Sequence, residues 1–181
     1  MVLQFACSKA GLILYNLDPS TAIKDPALSL QALKAALELT KANVFLSQET
    51  ADDVNYVRLT NQLIPELRIF NYAEGMPFVT PRFPHVRFCI HTGLDQHEKY
   101  GWLPMRHFLV PSNNLDKYVK KGSITDETPL AGELILDAKG IPTKLGKTLS
   151  NEEVVKAGIW PTYNKILKKE FHVVEGVGVV L

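Results

Sequence analysis

Two hydrophobic periods alternate along the first third of the chain. Residues 1–10, "MVLQFACSKA", have the small and apolar character of a buried helix, and Gly11 offers the residue type that most readily closes one. "LILYNL" (12–17) reads as a short apolar strand stopped by Asp18-Pro19. In "LSLQALKAALELT", Leu30, Leu33 and Leu37 recur at helical spacing, with alanines filling the remaining contacts. "ANVFLSQ" (42–48) is a second strand. Asp52 or Asp53 is placed to cap a third helix running through Val54, Val57 and Leu63-Ile64 to Pro65. This alternation predicts an α/β fold, an incomplete parallel or mixed sheet with helices on its faces.

Between residues 65 and 130 the pattern loosens. Pro65, Pro77, Pro81, Pro84, Pro104, Pro111 and Pro129 exclude long elements. "HVRFCIH" (85–91) is the clearest strand there, with Val86, Phe88 and Ile90 alternating with Arg87 and Cys89; "MRHFLVP" (105–111) and "GELIL" (132–136) are two more. Ser150 and Glu153 have capping-box spacing, so a helix is expected from Ser150. Gly158 and Pro161 interrupt it, Thr162 restarts it, and Ile166-Leu167 give the second segment an apolar side. "HVVEGVGVVL" (172–181) reads as an apolar strand, to be paired with this sheet or with a partner's.

The 181 residues suit one domain, 1–181, with 46% hydrophobic and 22% charged residues, an ordinary globular composition. A net charge of +1 gives no electrostatic footprint for nucleic acid or an anionic membrane. No apolar run approaches the ~18 residues of a membrane span. The start lacks the basic region and long apolar stretch of a secretory signal, and an apolar helix beginning at Met1 implies lost upstream sequence or an external support. Cys7 and Cys89 are too few for a disulfide framework and fit a reducing compartment.

Several groups could carry chemistry. Cys89, His91, His97 and Glu98 lie close together, but their spacing matches no metal signature; the expected arrangement is Cys89 and His91 on one strand face and His97-Glu98 in a loop. Cys89 as a nucleophile with His91 or His107 competes with Cys89 as a core residue. Asp52-Asp53 is a helix cap before it is a carboxylate pair. Lys117–Gly122 and Lys165–Glu170 are short basic faces that could dock an acidic partner, with too few aromatics for a nucleic-acid groove. Trp102, Phe108, Trp160 and Tyr163 could anchor an interface or fill the core.

The stretch with most promise is "GIPTKLGKTLSN" (140–151), which has the glycines, lysines and hydroxyls of a phosphate loop. A P-loop needs four residues between its two glycines; Gly140 and Gly146 are separated by five, and Pro142 removes an N–H from the nest.

"SKAGLILYNLDP" (8–19) resembles the adenylate-forming superfamily of acyl-CoA synthetases, in which a helix ending Lys-Ala-Gly leads into a strand closed by an Asn- and Pro-containing turn. "ALKAALELTKANVFLSQE" is similar to that family's next helix and strand, and "LIPELR" and "FPHVRFCIHTG" to later segments of its medium-chain branch. The resemblance covers the first half best, residues 1–64 above all, with 65–130 as a Pro-rich irregular region and 131–181 as a degraded phosphate-loop region, helix and terminal strand. Gly140-Ile141-Pro142 and Leu149-Ser150 resemble the ends of the family's phosphate loop. Its Thr-Ser-Gly-Thr-Thr run is replaced by Asp137-Ala138-Lys139, which sets a carboxylate where phosphate would lie, and its lysine by Thr143, with Lys144 one place late. Residues for the family's adenine-binding segment, ribose-binding acid, hinge and small C-terminal domain are absent from this sequence. The resemblance therefore implies a pseudoenzyme without cofactor, an accessory or structural subunit bound to other proteins of a larger complex. The branch's usual setting makes that complex mitochondrial, respiratory or ATP-producing, and otherwise cytoplasmic. The alternative is a module that binds acyl-CoA or adenine nucleotide without turnover through Lys139, Gly140, Lys144 and Lys147. A third is an unrelated enzyme built around Cys89 and His91.

Overall fold

A computed structural model describes residues 6–7, 10–17, 25–51, 54–93, 99–108 and 124–156. They belong to two compact units, one of Leu17–Ser112 with Leu134–Leu145, the other of Met1–Asn16, Asn113–Glu133 and Gly146–Leu181. The class is mixed α/β, as the alternating pattern predicts. Among the described residues the strands form three small sheets rather than one incomplete one.

In the first of these units, helix α1 (Pro26–Thr40) begins where Asp25 accepts from the N–H groups of Ala27 at 2.8 Å and Leu28 at 3.3 Å, with Pro26 in the first turn. It ends at Lys41, which adopts the left-handed conformation (φ 52°) and donates its N–H to the Leu37 carbonyl. The helical spacing of Leu33 and Leu37 does what it promised, burying both with Ala32 and Ala36, while Leu30 packs against the same core. Strand β2 (Val44–Ser47) follows. β3 (Thr50–Ala51) and β4 (Val54–Asn55) then pair antiparallel.

Helix α2 spans Tyr56–Leu63, later than expected. Val54 is spent in β4, and Asn55 is the cap, accepting from the Arg58 N–H at 2.8 Å. Asp52 and Asp53 lie outside the described residues.

β5 (Phe88–His91) pairs parallel with β2 in the register Val44↔Phe88 to Ser47↔His91, and β6 (Leu103–Pro104) adds to β5's other edge, also parallel. The alternation of "HVRFCIH" slips by one residue. The Asn43 carbonyl accepts from both Arg87 N–H (2.8 Å) and Phe88 N–H (3.2 Å), and this doubled contact acts as a bulge does. Val86 and Cys89 are buried as a result, whereas Phe88 is 46% exposed. "MRHFLVP" is not a strand over its described part: Met105–Phe108 is a 3₁₀ turn, because pairing with β5 is used up at Leu103 and Pro104. The core lies under this parallel sheet and joins α1, α2, Leu67, Phe78, Phe83, Val86 and Trp102.

In the other unit, Ala6, Cys7 and Ala10 are helical, and Gly11 (φ +67°) closes that turn as Leu12 donates to the Cys7 carbonyl at 2.9 Å. "LILYNL" contributes only β1 (Leu14–Tyr15), parallel to β7 (Pro129–Leu136), which extends the predicted "GELIL" by three residues at its start. β7 also neighbours β8 (Pro142–Ser150), completing the order β1-β7-β8, although the stretch Leu134–Leu145 that joins and includes their ends is counted with the first unit. Helix α3 (Asn151–Lys156) starts with the predicted capping box: Glu153 N–H donates to Ser150 Oγ at 3.2 Å, and Ser150 N–H donates to Glu153 Oε2 at 3.0 Å. The second helical segment and the terminal strand, with Gly158, Trp160, Pro161, Thr162, Tyr163, Ile166, Leu167 and residues 172–181, lie outside the described residues. So do both basic faces. No described helix is long and apolar enough to cross a membrane.

Candidate functional site

The phosphate-loop candidate turns out to be mostly strand. Thr143 through Thr148, read from the sequence as loop, are extended in β8 together with Leu149 and Ser150, read as the helix start, and the turn itself is confined to Asp137–Ile141. Gly140 (φ +80°) makes that turn, and its N–H goes to the Asp137 carbonyl at 3.0 Å. The Asp137 carboxylate accepts from the N–H groups of Lys139 at 2.8 Å and Ile141 at 2.9 Å. These converging N–H groups are what an anion would occupy, and Asp137 already supplies one.

The lysines do not assemble around the turn. Lys139, Lys144 and Lys147 are all exposed. Lys144 and Lys147, three positions apart on a strand, project to opposite faces. Lys147 is ion-paired with Glu153, its backbone N–H donates to Glu133 Oε2 at 3.3 Å, and Lys156 is paired with Glu152. The pairing with Lys147, then the Ser150 N–H, holds the Glu153 carboxyl below the usual carboxylate range.

A second assembly was not anticipated. Beyond the carboxyl ends of β2 and β5, where open α/β sheets place their polar groups, Glu49 meets Lys99. Lys99 Nζ stands 2.8 Å from Glu49 Oε1, with the lysine side chain 3% exposed and the glutamate 31%. His91, the last residue of β5, is fully buried and lies edge-on to Trp102 at 6.5 Å. Gly93 leaves room for this carboxylate: a Cβ there would come within 2.0 Å of Glu49 Oε2 and 3.1 Å of His91 Nδ1, so a larger residue would push the Glu49 side chain aside. The buried Trp102 donates its indole N–H to Asn61 Oδ1 at 2.9 Å, fixing the far side of the cluster to α2. Position was the available signal, since Glu49 directly follows one predicted strand and Lys99 comes soon after another.

Cys89 and His91 share the buried face of β5, the arrangement expected of them, and His107 is exposed on the 3₁₀ turn. His97 and Glu98 lie outside the described residues. Burial pushes the Cys89 thiol up to about 12, so at neutral pH it is a protonated core group rather than a thiolate. Tyr72 is raised to about 12 as well, by burial first and by Cys89 second, and its hydroxyl donates to the Arg87 carbonyl at 3.1 Å. Among the described residues, no three His, Cys, Asp or Glu side chains are grouped to hold a metal. Trp102 is core, whereas Phe108 is exposed.

No protein-family model matches this chain, and no curated protein matches it either.

Proposed function

We propose that this chain is a non-catalytic protein resembling a fragment of an acyl-CoA synthetase, working as a structural or accessory subunit of a larger mitochondrial assembly of the respiratory or ATP-producing kind. The observation that carries the reading is the Asp137 carboxylate seated on the Lys139 and Ile141 N–H groups. A phosphate would have to displace a covalently tethered anion and then sit beside its charge. At ~4 Å that repulsion is worth about 1 kcal/mol in water and several-fold more near protein. The nucleotide-binding turn of the resemblance is thus filled by the chain's own side chain, and what remains is a folded body offering surfaces.

Native co-purification of the tagged full-length chain with mass spectrometry tests this. Stoichiometric partner proteins are expected, together with no heat of binding to ATP or acyl-CoA at millimolar concentration. A monodisperse monomer without partners overturns the subunit reading. Saturable nucleotide or CoA binding, lost on Lys139→Ala or Lys147→Ala, overturns it in favour of the binding module.

A further inference from the structure

At the amino end of the parallel sheet, opposite the Glu49–Lys99 pair along the strands, apolar and basic groups share one exposed patch. Val44 and Phe88 are register partners at the first positions of β2 and β5, and each is 46% exposed. Tyr72 stacks on Phe88 with ring centroids 6.1 Å apart and planes 16° from parallel, extending the apolar surface to three adjoining side chains. Among the described residues β2 is the outer strand of its sheet, so Val44 sits at a margin rather than in the middle of a layer.

Cations border the patch. Lys41 caps α1 three residues before Val44, and Arg87 immediately precedes Phe88; both are exposed. Neither has a carboxylate within ion-pair distance among the described residues. Arg87 is instead braced by its own backbone, donating from one terminal nitrogen to the carbonyls of Pro84 (2.6 Å) and Val86 (3.2 Å), which fixes the guanidinium in place before any partner arrives. Between them lies His85, whose carbonyl accepts from the Asn43 side chain at 2.9 Å and whose buried Nε2 has no hydrogen-bond partner among the described residues. Lys41 and Arg87 are both close enough to act on that ring. Burial first and then Lys41 lower its pKa; the Leu37 carbonyl opposes them, and Arg87 adds the smallest lowering effect.

Aromatic and aliphatic centre, cationic border and preset arginine are the makings of a protein-docking surface with a definite charge preference. We infer that Val44, Tyr72 and Phe88, bordered by Lys41, His85 and Arg87, dock a carboxylate-rich segment of a partner protein that presents an aromatic or aliphatic anchor. Opposite charge is what the two cations lack within the described residues. An apolar anchor would cover the Phe88–Tyr72 stack. The inference deepens the accessory-subunit reading and rests on it for the existence of a partner.

The test places the photo-crosslinking residue p-benzoylphenylalanine at position 88 of the full-length chain, irradiates it in the source cells and sequences the crosslinked peptides after native purification. Expected is a single protein segment rich in Asp and Glu around a large apolar residue. Lys41→Glu with Arg87→Glu should reduce its yield by about tenfold or more, the order expected for reversing two border charges. Lys144→Glu, on β8, should leave it unchanged. Should the double reversal melt below the parent, Lys41→Gln with Arg87→Gln replaces it, with a loss in the same direction required. A crosslink to a neutral or basic peptide, to lipid or to nucleic acid overturns the inference, as does a yield indifferent to the charge changes. Partners that co-purify without any crosslink from position 88 also overturn it while leaving the accessory reading standing. No partner at all defeats both.

Discussion

Removing the two members of the Glu49–Lys99 pair singly should have unequal consequences. Their separation is 2.8 Å, but the lysine side chain is 3% exposed and the glutamate 31%. Glu49→Gln withdraws a full negative charge from beside an ammonium that water scarcely reaches. Breaking a buried pair from one side costs ~3–5 kcal/mol, and the partial exposure of Glu49, with the further interaction that Lys99 keeps, puts this case at the lower end, about 3 kcal/mol. Lys99→Met keeps an unbranched chain of similar length in the buried slot and leaves a carboxylate that water can solvate. Its cost should stay below about 1 kcal/mol. Urea unfolding followed by Trp102 fluorescence, in a Trp160→Phe background, measures both. With m near 2 kcal/mol per molar, Glu49→Gln should lower the midpoint by about 1.5 M at unchanged m, and Lys99→Met by less than about 0.5 M. Equal losses, or a larger one for Lys99→Met, would refute the argument from unequal burial.

Three further outcomes follow from the same geometry. Asp137→Ala should cost about 1 kcal/mol locally and speed amide exchange at Lys139 and Ile141, read by hydrogen-exchange NMR; unchanged protection would mean that the carboxylate does not hold the turn. Because the folded-state pKa of His85 lies below the ordinary 6.5, the fold binds this proton less readily than the unfolded chain does. Its contribution is therefore fully present above pH 6.5 and lost as pH falls through the lower folded value, and His85→Gln should flatten that acid-side loss in stability measured against pH. Cys89, with a thiol raised to about 12 by burial, should resist Ellman's reagent in the native state at pH 7 and react only on unfolding. The raised value also means that its contribution is whole below pH 9 and disappears as pH rises through about 12, so fast native labelling of Cys89 in a Cys7→Ser chain would contradict its burial.

Periodicity in this chain was informative where one short stretch settles the outcome. Leu30, Leu33 and Leu37 face one way because helical geometry leaves no alternative, and Ser150 with Glu153 caps a helix because both partners lie within one turn. Gly11 and the strands around Phe45 and Cys89 were legible for the same local reason. What the sequence could not disclose depends on contacts made across long separations. The Asn43 carbonyl, shared by Arg87 and Phe88, is what turns Cys89 inward and Phe88 outward. Glu49 and Lys99 are fifty positions apart and become one buried pair only when β2 and β5 lie side by side. "GIPTKLGKTLSN" carries the composition of a phosphate loop, yet most of it is extended because β7 offers its edge to β8, and a sheet partner outweighs local preference where hydrogen bonds can be completed. The sequence by itself determined the class of fold, the buried face of the first long helix, the Gly11 stop and the Ser150–Glu153 capping box. Tertiary structure alone decided strand facing, the meeting of distant charges and the fate of that loop, since each turns on which segments become neighbours.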